Sequence, residues 1–115
     1  MVAAPTPISL ILVDDQSLLR QGLAANAIKE IFGILNGTSN YILTKMSASG
    51  ESFQAALREA QVIGYAEADP TLDIEGIDTA HKLAILMARA YGAQIDFESI
   101  HVEGITRLEP IDIQF

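Results

Sequence analysis

The apolar positions change period along the chain. Residues 8–13 (ISLILV) form a β-rich run, broken by one serine and ending in two aspartates, the pattern of a buried strand. Asp15 then stands where it can N-cap a helix that carries Leu18, Leu19 and Leu23 and fades near Asn26. Residues 28–35 (IKEIFGIL) alternate at first and then become wholly apolar, which predicts a second strand. Asn36-Gly37-Thr38 reads as a turn, followed by a helix over 39–47 with Tyr41, Ile42, Lys45 and Met46 at helical spacing. A second amphipathic helix over 51–62 presents Phe53, Ala56, Leu57 and Ala60 on one face and ends at Gly64. After an acidic, proline-bearing loop at 65–76, the longest helix runs over 75–91. It shows Ile77, Ala80, Ala84, Met87 and Tyr91 on one face, with Gly92 beyond its end. Residues 97–102 predict a third strand. The order β-α-β-α-α-α-β predicts an α/β fold, a small two- or three-layer sheet led by a βαβ unit.

With half of its 115 residues apolar and 19% charged, the chain can bury a core as one domain over 8–115, behind a flexible tail at 1–7. Seven basic residues against fifteen acidic ones give a net charge of −8, which repels a phosphate backbone and argues against nucleic acid as a partner. The absence of cysteine excludes disulfides and thiolate chemistry. No apolar run approaches the length of a membrane span, and the first residues lack a signal-peptide pattern, so the expectation is a cytoplasmic protein.

Candidate chemistry concentrates in the acidic loop. Glu67, Asp69, Asp73, Glu75 and Asp78 are five carboxylates in twelve residues, with no base before Lys82. Three readings are open at this point. The loop can be a solvated acidic stretch. It can be a cation site, although the alternating ligands, central glycine and terminal glutamate of an EF-hand loop are missing. It can also be an acidic pocket around one ammonium, with Asp78 and Lys82 paired one helical turn apart. His81 and His101 read as packing or surface residues. Ser17, Ser39 and Ser47 have no adjacent histidine to make a nucleophile. None of the eight glycines falls in the G-x-G-x-x-G pattern of a dinucleotide site.

The stretches GLAAN, GILNGTSNYILTKM, GYAEADPTLDIEGIDTAHKLAIL and EGI, spread over 22–113, resemble the substrate-binding, catalytic domain of homoserine dehydrogenase. The resemblance implies an NAD(P)-dependent oxidoreductase as parent. It gives Glu67 and Asp73 to the amino acid, Gly37 and Thr38 to its carboxylate at a helix N-terminus, and Asp78 and Lys82 to the reacting hydroxyl or carbonyl carbon. A shorter stretch, SLILVDDQSLLRQGL within 8–23, is similar to the first strand and helix of a response-regulator receiver domain, with Asp14 and Asp15 as its acidic pair. Its phosphoacceptor has no counterpart, since no aspartate occurs between Asp15 and Asp69.

Together the two resemblances imply a recombined, non-catalytic chimera with a remnant of a substrate pocket, weak homoserine binding, no bound cofactor and no metal. The alternatives are a dehydrogenase fragment that needs a dinucleotide domain and a receiver-like signalling module. Apolar strands with unpaired edges further predict a homodimer, domain-swapped or not.

Overall fold

The computed structural model describes residues 28–92 and 94–114. These form four helices, α1 (Gly37–Ser49), α2 (Phe53–Ile63), α3 (Thr71–Ile74) and α4 (Ile77–Tyr91), followed by two 3₁₀ turns, Phe97–Ser99 and Pro110–Ile113. The chain divides into two compact units. One holds residues 28–35 and 81–100 of the described chain, the other Asn36–Ala80 with 101–114, so α4 contributes to both.

The second unit is built on the α1–α2 hairpin. Asn36 caps α1 from extended backbone, its side chain accepting from the Ser39 N–H at 2.8 Å. Gly50, at φ 69°, closes the helix with its N–H on the Met46 carbonyl. Ser52 caps α2 in the same manner, and Gly64, at φ 86°, ends it. Ile42 and Met46 from α1 meet Phe53, Ala56, Leu57 and Ala60 from α2, with Ala66 beyond. Ala56 and Ala60 are wholly buried, and their small side chains let the two helices approach closely.

Two glycines allow the turn between α3 and α4 to dock on the segment after residue 101. Gly76 adopts φ 81°, and a Cβ there would lie 2.9 Å from the Glu103 carbonyl oxygen. A Cβ on Gly104 would lie 2.7 Å from the Ile74 carbonyl oxygen. That same oxygen accepts the Ile105 N–H at 2.8 Å.

In the first unit Ile28 and Leu86 are buried together, with Ile31, Leu35 and Ala90 packed on them. His81 stacks obliquely on Phe97 at 4.5 Å between ring centroids. Among the described residues no helix is long and apolar enough to cross a membrane.

The expectation of an α/β sheet led by a βαβ unit is overturned: the described residues contain no strand. In 28–35 the buried or part-buried positions are Ile28, Ile31 and Leu35, which do not alternate, while Phe32 and Ile34 are more than half exposed. Their burial follows packing on α4, and no second extended segment supplies a ladder. In 97–102 the Asp96 carboxylate accepts the Glu98 N–H at 3.2 Å and its carbonyl accepts the Ser99 N–H at 3.1 Å, which folds the segment into a 3₁₀ turn. The loop at 65–76 contains α3, and Pro110–Ile113 forms a 3₁₀ turn. The strand expected at 8–13 and the helix capped by Asp15 lie outside the described residues.

The helical expectations fared differently. α1 and α2 occupy the segments predicted, and the four residues assigned to the inner face of α2 are all buried. On α4 Ala80 is buried as expected, but Tyr91 is exposed and Leu86 is the other buried residue. A helix that serves two units need not carry a single stripe.

Candidate functional site

The first turn of α1 is where two of the candidate carboxylates, Asp73 and Asp78, meet. Asn36 is 7% exposed, the one buried polar residue among those described. Its Nδ2 donates to Asp73 Oδ1 at 2.6 Å and to Asp78 Oδ2 at 2.8 Å. The Ser39 hydroxyl, one turn along, donates to the Asp73 carbonyl at 3.1 Å. α1 therefore grips both the end of α3 and the start of α4. Ionised carboxylates are obligate acceptors, so an amide donating to both is the chemistry that can join them without adding charge. Asp78 also lies in the first turn of α4, where the helix dipole favours an anion.

Gly37 and Thr38 open α1 beside this corner. A Cβ on Gly37 would meet nothing within 4 Å, so the helix end is open there. The Thr38 hydroxyl donates to the Tyr65 carbonyl at 2.7 Å and so pins the chain where it leaves α2. Glu67 follows two residues later. Its carboxylate is exposed, and its carbonyl accepts from Gln61 Nε2 at 3.1 Å. Asp69 turns back on Thr71, accepting from its hydroxyl at 2.5 Å and its N–H at 3.2 Å, and these bonds hold its carboxyl below the usual carboxylate range. Lys82 belongs to the other unit, where its Nζ donates to the Leu35 carbonyl at 2.8 Å.

Of the residues singled out from the sequence, Asp73 and Asp78 are brought together, with Gly37 and Thr38 on the same helix end. Glu67 is exposed in the same unit. His101 pairs with Glu103 at 2.9 Å, both highly exposed, which fits a surface residue. Among the described residues no group of three or more His, Asp and Glu is placed to hold a metal. Asn36 and Ser39 are the residues the sequence reading missed in this corner. In sequence Asn36 reads as a turn residue, although an asparagine ahead of a helical pattern is also a standard cap.

Known proteins match the chain over most of its length. The family described as homoserine dehydrogenase matches residues 16–115. The homoserine dehydrogenase of Neisseria gonorrhoeae is 54% identical over 97 residues, which is 84% of this chain and 22% of that protein. That of Bacillus subtilis is 44% identical over the same shares. The crystal structure of the Thiobacillus denitrificans enzyme superposes with a TM-score of 0.74 at 52% identity, covering 84% of this chain and 22% of that one. A hyperthermophilic archaeal homoserine dehydrogenase mutant in complex with NADPH superposes at 0.59 with 36% identity, covering 67% of this chain and 23% of that one. The chain thus spans about a fifth of the length of these relatives. A match over residues 16–115, with relatives 44–54% identical over 84% of the chain, shows that it belongs to the homoserine dehydrogenase family.

Proposed function

We propose that the corner formed by Asn36, Asp73 and Asp78 is the substrate side of a homoserine dehydrogenase site. The observation that carries this is the convergence of two carboxylates on one buried amide at a helix N-terminus. A hydroxy amino acid brings an ammonium, a carboxylate and a hydroxyl, and each finds a chemical complement in this set. Asp73, with the exposed Glu67, takes the ammonium. Gly37 and Thr38, at the open N-terminal end of α1, take the carboxylate. Asp78 orients the hydroxyl that becomes the carbonyl, a role the sequence resemblance also gives to Lys82. A nicotinamide cofactor would accept the hydride. The 115 residues contain no G-x-G-x-x-G loop to anchor its phosphates.

The expected behaviour of this 115-residue chain is weak homoserine binding, with Kd in the region of about 1 mM, and no turnover. In a titration followed by amide NMR, homoserine should shift the signals of residues 36–39 and 73–78. Mixtures with NAD or NADP should leave the cofactor absorbance unchanged. Silence of those amides at tens of millimolar homoserine would remove the pocket reading, and turnover abolished by Lys82→Ala would remove the non-catalytic one.

A second proposal concerns the start of the chain. The family match begins at residue 16, and the receiver-like stretch occupies 8–23, so the two overlap over 16–23 and residues 8–15 precede the match. We infer a join in this region between a receiver-like βα element and the dehydrogenase segment. Sequencing the source gene tests it. A reading frame in which residues 8–15 continue a dinucleotide-binding domain would refute the join. An acyl-phosphate donor should leave the protein mass unchanged, and a phosphoryl adduct would favour a signalling role.

A further inference from the structure

We propose that Asn36 is a positioning residue whose carboxamide sets the separation of the Asp73 and Asp78 carboxylates. The functional consequence rests on the homoserine reading above, whereas the geometry stands on its own. A helix cap needs only the side-chain oxygen, and Asn36 Oδ1 supplies it to the Ser39 N–H at 2.8 Å. The nitrogen is not required for capping. Both of its protons go to side chains 37 and 42 residues away in sequence, on α3 and α4. The amide orientation follows from chemistry: flipping it would set the carbonyl oxygen against two carboxylates and the NH₂ group against a backbone N–H.

The two N–H bonds diverge in the amide plane, so bonds of 2.6 and 2.8 Å hold the acceptor oxygens roughly 4–5 Å apart. At that spacing the carboxylates cannot share a proton, so one can face an ammonium while the other faces a hydroxyl. Serine, threonine or aspartate would cap α1 as well, but none offers two donors at this reach. The choice of asparagine is explained by the carboxylates and not by the helix. Glu75, the other acidic residue between them, is exposed and does not join the cluster among the described contacts.

The test compares the full chain with its Asn36→Ser variant, which keeps the cap oxygen and loses both donors. In the wild type both Asn36 side-chain amide protons should resonate downfield of a free carboxamide, and Asp73→Ala should return one of them to the free position. In Asn36→Ser the denaturation midpoint should fall, because two part-buried carboxylates lose their donor, while the Asp73 and Asp78 carboxyl ¹³C signals move and homoserine affinity falls about tenfold or more. Free-amide shifts in the wild type would overturn the proposal without any variant. So would an Asn36→Ser protein with unchanged carboxyl signals. If the amide and carboxyl signatures appear and homoserine fails to bind the wild type, the positioning role stands and the homoserine reading falls.

Discussion

Asn36 and Gly104 show how single residues place this corner. The first joins two carboxylates; the second lets the backbone after residue 103 lie against the turn that separates them. A Cβ on Gly104 would sit 2.7 Å from the Ile74 oxygen and 2.9 Å from the Glu75 Cα, both backbone atoms that cannot swing aside. Gly104→Ala should therefore cost about 1–3 kcal/mol, measured as a fall in the urea midpoint. Gly37→Ala is the control. Its Cβ meets open space within a helix, so it should be neutral or stabilising by about 0.5–1 kcal/mol. Equal losses at both positions would show that steric approach is not what Gly104 provides. At this scale the sequence was legible where one property decides: Gly64 stops a helix because left-handed backbone favours glycine. Asn36 was less legible, because its partners at 73 and 78 become neighbours only after three helices have folded.

At the scale of elements, α1 and α2 were legible because their faces follow a local period. Ser52 should add to this locally: Ser52→Ala removes the acceptor for the Ala55 N–H at 3.2 Å and should cost about 1 kcal/mol. A second strap is ionic. Glu59 on α2 accepts from the Tyr41 hydroxyl at 3.0 Å and pairs with Lys45 at 2.9 Å, both on α1. The Lys45 bond, then the Tyr41 bond, hold the Glu59 carboxyl below its ordinary range, and the bond to Glu59 raises Lys45 above its own. A depressed carboxylate contributes stability above its unfolded pKa and loses it as pH falls through the folded value. A raised lysine contributes below its unfolded pKa and loses it as pH rises through the folded one. The strap should thus be complete at neutral pH and weaken in acid and in strong base. Because the groups are solvent-accessible, the effect is modest and shrinks with salt. Glu59→Gln should flatten the acid limb of the thermal midpoint against pH, and an unchanged limb would assign that loss to other carboxylates. The strands at 28–35 and 97–102 were misread for a related reason. Apolar runs look alike whether they pair in a ladder or pack on a helix, and a ladder depends on residues far away in sequence.

For the whole molecule, the expectation of a homodimer loses its first argument, since the described residues offer no strand edge. Another argument replaces it. Val62 is 85% exposed, and Ile63, Tyr65 and Leu72 of the same unit are each at least half exposed. Three of these lie within four consecutive positions at the end of α2. Apolar surface concentrated in this way favours burial, at about 25 cal/mol per Å² removed from water. The net charge of −8 opposes association, but screening at physiological salt confines that repulsion to about 8 Å. A second copy is a partner always present at the protein's own concentration, and a two-fold arrangement lets one patch cover its equivalent. The expected result is a mass near twice 12.4 kDa by light scattering at tens of micromolar, reduced towards the single-chain value by Val62→Lys. A mass of 12.4 kDa for the unmodified chain at that concentration would show that these side chains stay in water and that the corner at Asn36 works within one copy.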